Sequence, residues 1–140
     1  MHSMKNENPT LPASPSALKA FVLAARPKTW IASLFPVFIG AKLAAKETDL
    51  AFGILVLTAL FALFVQIGTN FANDYFDFMN GADTAARVGP KRAVAQGWIA
   101  PKQMLNAAIF IFGLAFAIAF PLMMQAGLWS FGLGFLCILF

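Results

Sequence analysis

Charge is what this sequence has least of. Only 11% of its 140 residues are Asp, Glu, Lys or Arg and 60% are hydrophobic, whereas an ordinary soluble domain carries about 25% charged and roughly 45–50% apolar residues. A water-soluble globule of this size has too large a surface for its volume to hide so many Phe, Leu, Ile and Ala side chains, which excludes that class and points to lipid as the solvent. Cysteine is almost missing: Cys137 stands alone, so there is no intrachain disulfide, and it is read as a packing residue inside an apolar run. The one histidine, His2, lies in the polar tail and is set aside as a catalytic group. Charge is missing altogether from Gln103 to Phe140, 38 residues. An apolar stretch that stops without a polar or basic interfacial anchor suggests a truncated chain. The eight prolines and ten glycines are scattered through apolar stretches, which argues against disorder.

What is present is a series of long apolar runs. A membrane-spanning helix needs about 20 mostly apolar residues at 1.5 Å rise each. Spans are predicted at about 29–45, interrupted by Pro36 and ending near Lys42, and at 50–72, 104–124 and, cut short, 127–140. The fold class expected is therefore all-α, a multi-span transmembrane helical bundle. A cleaved signal peptide is disfavoured for the first run, because its core starts near residue 29 and further spans follow. Residues 1–25 read as a polar, Pro-containing tail with a short interfacial helix over 17–23. Residues 26–140 form one membrane domain with a polar loop over 73–103.

Lys and Arg set the orientation. Lys5, Lys19, Arg26 and Lys28 precede the first span, and Arg87, Lys91, Arg92 and Lys102 lie between the second and third, against only Lys42 and Lys46 on the other side. The bias puts the N-terminus and the 73–103 loop in the cytoplasm. It also accounts for the net charge of +4 without a nucleic-acid partner. Trp30 and Trp98 are read as interfacial belt residues.

The loop concentrates the chemistry. Three of the four aspartates, Asp74, Asp77 and Asp83, fall in it, and if the second span continues as a helix, Gln66, Asn70, Asn73, Asp74 and Asp77 recur every three or four residues along one face. Such a stripe must face protein or a water-filled cavity. Asp74 and Asp77 repel each other near a helix C-terminus, where the dipole also disfavours anions, so a cation should compensate. Magnesium suits them, as a hard ion that takes carboxylate oxygens and is completed by substrate phosphates. Arg87, Lys91 and Arg92 could then neutralise phosphate oxygens, and Gly81, Gly89 and Pro90 let the chain turn back. A solvated helix end flanked by topological anchors explains the same residues, and so does a transporter that binds a cation; the latter gives no reason for the Gly-Pro-Lys-Arg cluster.

The string Asn73-Asp-Tyr-Phe-Asp77 after a transmembrane helix resembles the first aspartate-rich motif of the UbiA superfamily of intramembrane prenyltransferases. The wider pattern, from Gln66-Ile-Gly-Thr-Asn70 through Gly81-Ala-Asp83-Thr84, Gly89-Pro90-Lys91-Arg92 and Gly97-Trp-Ile99-Ala-Pro101, is similar to its naphthoate branch, as is Arg26-Pro27-Lys28-Thr29. Ubiquinone-type and haem-type members place a third aspartate four residues after the second; here Asp83 is six after Asp77. The resemblance covers about 26–103. It implies the first three to four helices of a roughly nine-helix fold in a bacterial cytoplasmic (inner) membrane. The implied activity is transfer of a polyprenyl group from its diphosphate to 1,4-dihydroxy-2-naphthoate with loss of CO2 and diphosphate, or to another aromatic acid such as 4-hydroxybenzoate. It further implies Mg2+ held by Asp74, Asp77 and Asp83, diphosphate contacts from Asn70, Asn73, Arg87, Lys91 and Arg92, and catalytic work by Asp74, Asp77 and Arg92. Arg26 and Lys28 are read as topological anchors that could also meet the aromatic carboxylate. A second aspartate-rich motif on a later helix would lie beyond Phe140, so the chain alone is expected to be inactive.

Overall fold

The computed structural model describes residues 14–49, 51–82, 90–127 and 129. Among them every regular element is helical: α1 (Ala17–Ala24), a 3-10 turn (Pro27–Thr29), α2 (Trp30–Ala44), α3 (Phe52–Met79) and α4 (Pro101–Ala126). The all-α expectation holds. Three stretches are long and apolar enough to cross a membrane: Ala17–Ala44, Phe52–Met79 and Pro101–Ala126. Cys137, His2 and the expected span 127–140 lie almost wholly outside the described residues, as do Asp83, Thr84, Arg87 and Gly89.

The spans differ from the predicted boundaries in ways that bear on function. The first begins at Ala17, so the short helix expected at an interface and the span after it form one stretch, broken at Ala25–Arg26. Arg26 takes left-handed backbone angles (φ 50°, ψ 67°) and Pro27 follows at the start of the 3-10 turn, so the helix cannot run through. Pro36 sits inside α2 without ending it, a tolerance common in membrane helices, where local adjustments satisfy the freed carbonyl.

The second span passes its predicted end at residue 72 and continues to Met79, because no helix breaker occurs before Gly81. Its 28 residues extend about 42 Å at 1.5 Å per residue, beyond the roughly 30 Å of hydrocarbon. Asn73, Asp74 and Asp77 are therefore on a helix rather than in a loop. At the end, Gly81 (φ +67°) allows the N–H of Ala82 to reach the Asp77 carbonyl at 2.9 Å and its own N–H to reach Phe78 at 3.1 Å, the paired bonds of a Schellman stop. At the start of α4, Pro101 occupies a position where its missing N–H costs nothing, and the Gln103 side chain accepts from the Ala100 N–H at 3.3 Å.

Helix α3 packs chiefly on α4 and more lightly on α2. Small residues on α2 (Gly40, Ala41, Ala44) leave a cleft of about 370 Å³ against Ile54, Leu55 and Thr58 of α3. Burial is concentrated at one end of the bundle, where Ala20, Ala24 and Ala25 meet Phe71, Met104 and Ala108, and Ala93, Val94 and Ile99 fold in from the segment before α4. Phe21 and Phe71 pack edge to face at 5.9 Å. Along the spans, large apolar side chains stay open: Phe35 is 62% exposed and Phe116 71%. A protein in water would bury them; hydrocarbon makes their exposure free of cost.

At Gly68, α3 lies directly against a side chain of α4. A Cβ there would meet the Phe112 ring at 2.9 Å. Gly68→Val is expected to lower thermal stability in detergent by about 1–3 kcal/mol, and Phe112→Ala in the same background should recover part of that loss; equal melting of wild type and Gly68→Val would count against this packing.

Candidate functional site

The polar stripe of α3 meets its partners at the packed end of the bundle, and it splits into two edges. Gln66, Asn70 and Asp74, spaced by four, face inward. Asn70 is buried, and its amide Nδ2 donates to the Ala25 carbonyl at 2.9 Å and to Thr29 Oγ1 at 3.1 Å. Gln66 Nε2 reaches the same hydroxyl at 3.4 Å, and Thr29 Oγ1 itself donates to the Arg26 carbonyl at 2.9 Å. Trp30 Nε1 adds a bond to the Ala25 carbonyl at 2.9 Å. Four side chains thus hold the left-handed turn at Arg26, a backbone state that costs an L-residue roughly 1–2 kcal/mol. Asn70, expected to contact diphosphate, uses its donor group on this turn. Thr29 closes the Arg26-Pro27-Lys28-Thr29 string, but its role as a hinge of this network is not legible in the sequence, since its partners on α3 lie 37 and 41 residues away. Trp30, expected as a belt residue, is tied to the turn.

One turn further along, Asp74 is 1% exposed. Its Oδ2 accepts the Ala93 N–H at 3.0 Å and its Oδ1 the Val94 N–H at 3.3 Å. Those N–H groups open a single helical turn, in which Gln96 N–H bonds the Arg92 carbonyl at 3.0 Å and Trp98 N–H the Ala93 carbonyl at 2.9 Å. Gly97 (φ +68°) closes it.

Asn73 and Asp77, also four apart, form the outer edge. The Asn73 side chain is exposed, and the Asp77 side chain is 37% exposed. Arg92, 7% exposed, donates through one guanidinium nitrogen to the Asn73 carbonyl and pairs through the other with Asp77. Lys91 is exposed beside it. Of the residues expected at the site, Asn70, Asn73, Asp74, Asp77, Lys91 and Arg92 therefore gather at the end of α3, while Asp83 and Arg87 lie outside the described residues.

Among the described residues no three His, Cys, Asp or Glu side chains converge. Magnesium does not require that, because it is commonly held by one or two carboxylates with waters and substrate phosphates. The partly open, hard oxygens of Asp77 beside the Arg92 guanidinium fit a magnesium-bound phosphate ester.

Residues 33–140 match the UbiA prenyltransferase family. The chain is 34% identical over 128 residues to 1,4-dihydroxy-2-naphthoate octaprenyltransferase of Bacillus subtilis, covering 89% of the chain and 40% of that protein. Against the Haemophilus influenzae protein of the same name it is 37% identical over 89 residues, covering 62% and 29%. UbiA prenyltransferase domain-containing protein 1 of Danio rerio is 41% identical over 69 residues, 49% of the chain and 20% of that protein. The chain spans 29–40% of the length of the two bacterial relatives. No solved structure matches it.

Two substitutions test the turn on which the inner edge closes. Asn70→Ala leaves the Ala25 carbonyl short of a donor and should destabilise the protein by about 1–3 kcal/mol. Arg26→Gly relieves the left-handed strain and should gain up to about 1 kcal/mol. Thermal melts in detergent read both, and a destabilising Arg26→Gly would mean that its side chain contributes more than the strain costs.

Proposed function

The chain belongs to the UbiA prenyltransferase family, and from that premise we propose that it supplies the diphosphate-handling face of an integral membrane enzyme that prenylates 1,4-dihydroxy-2-naphthoate. The observation that carries the reading is the Asn73–Asp77 edge with Arg92 set against it at the end of a membrane-spanning helix, Lys91 being the exposed residue next to Arg92 in the chain. Relatives named for naphthoate octaprenyl transfer support the choice of acceptor, as do the wide Asp77–Asp83 spacing and the Gly89-Pro90-Lys91-Arg92 run. The setting we propose is a bacterial cytoplasmic membrane with the 73–103 segment on the cytoplasmic side, since that segment carries Arg87, Lys91, Arg92 and Lys102 against Lys42 and Lys46 between the first two spans.

Asp77, with Asp83, would hold Mg2+, which supplies Lewis-acid stabilisation to the departing diphosphate. Lys91 and Arg92, joined by Arg87, place positive charge where negative charge grows as the allylic C–O bond breaks, and guanidinium groups can bind phosphate oxygens in pairs. The Asp77–Arg92 contact holds both groups in register before substrate arrives. The Asn73 amide, exposed on the same edge, can donate to a phosphate oxygen. Apolar faces of α2, α3 and α4 house the isoprenoid and keep water from the allylic cation. The aromatic carbon then forms the new C–C bond, and its carboxylate leaves as CO2.

Because the chain covers 29–40% of its bacterial relatives, the activity is proposed for a protein of their full length, and the 140 residues alone are expected to transfer nothing. In the full-length protein, Asp77→Asn should lower prenyl transfer to 1,4-dihydroxy-2-naphthoate by about a hundredfold or more. An undiminished rate would sink the assignment, and transfer to 4-hydroxybenzoate in preference to the naphthoate would move it to another branch of the family.

A further inference from the structure

Asp74 sits where a carboxylate is hardest to accommodate, on an apolar helix, 1% exposed and three residues from a second acid. A buried anion persists only where its charge is answered. Much of the answer comes from one short segment. Arg92 occupies the N-cap position of the turn that Gly97 closes, since its carbonyl accepts the first bond of that turn, from Gln96. A guanidinium cannot accept a hydrogen bond, so Arg92 cannot cap the N–H groups that follow it. Asp74 caps them instead, from 19 and 20 residues earlier in the chain, with one oxygen for Ala93 and the other for Val94. The capped turn leaves Arg92 nowhere to go but against α3, where it meets the Asn73 carbonyl and Asp77.

We propose that Asp74 is a positioning residue: by capping the turn at Ala93 and Val94 it fixes Lys91 and Arg92 beside the Asn73–Asp77 edge, where they receive the diphosphate of the isoprenyl donor. The inference rests on the diphosphate reading of that edge. It takes Asp74 out of the magnesium set expected from the motif. Both Asp74 oxygens already accept backbone N–H groups in a closed setting, whereas Asp77 keeps an open side. The two acids of Asn73-Asp-Tyr-Phe-Asp77 then divide the work, one building the loop and the other meeting the metal and phosphate.

Amide hydrogen exchange in the detergent-solubilised protein tests the cap directly. Asp74→Ala should speed exchange at Ala93 and Val94 by about tenfold to a hundredfold, and Asp74→Asn, which keeps one oxygen acceptor, should restore part of the protection. Protection in α4 controls for folding, and Asp74→Asn carries the test alone if the alanine variant loses it. In transfer assays of the full-length protein, Asp74→Asn should raise KM for the isoprenyl diphosphate while leaving half-saturation by Mg2+ within about twofold of wild type; Asp77→Asn should displace that half-saturation. Unchanged exchange at Ala93 and Val94 in both variants overturns the proposal, and so does a magnesium shift in Asp74→Asn as large as that in Asp77→Asn. Faster exchange in a protein that transfers no prenyl group supports the cap and overturns only the diphosphate reading.

Discussion

The Asp74 carboxylate is the constraint around which the packed end of this protein is organised. A charge buried at the end of an apolar helix costs several kcal/mol unless it is fully answered. Its two backbone donors come from the segment that enters α4. The carboxylate thereby ties α3 to a part of the chain 19 and 20 residues downstream. The apolar residues around it, Phe71, Ala93, Val94 and Met104 among them, exclude water and so strengthen the same hydrogen bonds.

Away from that end the molecule is held differently. The faces of α2, α3 and α4 are lined with exposed Phe, Ile and Leu, and between such helices in lipid no hydrophobic force acts; close approach at small residues does. Gly68 against Phe112 is one such approach. The polar end supplies the directional contacts. Asn70 and Thr29 hold the Arg26 turn, and Asp74 holds the turn at Ala93. A substrate with a charged head and a long apolar tail fits that division.

Membership of the UbiA prenyltransferase family gives the division a chemical sense. Ionising an allylic diphosphate needs positive charge fixed near the leaving group before the bond breaks, because fixed groups need not reorganise during the reaction. Arg92 has little freedom: it is 7% exposed, bonded to a backbone carbonyl and paired with Asp77. Lys91 beside it is exposed. Under the proposed function, one buried and one exposed cation on adjacent residues would suit a diphosphate that must be both positioned and released.

Hydropathy alone determined the all-helical membrane architecture, because spans of about 20 apolar residues leave the backbone no other way to satisfy its hydrogen bonds. The family became legible through the likeness of the Asn73-Asp-Tyr-Phe-Asp77 string and its flanking residues to a known motif; spacing by itself only placed the amides and acids on one helix. Gly81 marked where the helix through these residues breaks, but the sequence could not show that the first membrane-length stretch starts at Ala17. Nor could it show that neighbouring acids with the same local pattern have different surroundings. Asp74 and Asp77 read alike as a pair three apart; only the return of the 90–94 segment onto α3 buries one and leaves the other open. That decision belongs to tertiary structure, because the donors that answer Asp74 lie 19 and 20 residues downstream and come within hydrogen-bonding distance only when the chain is folded.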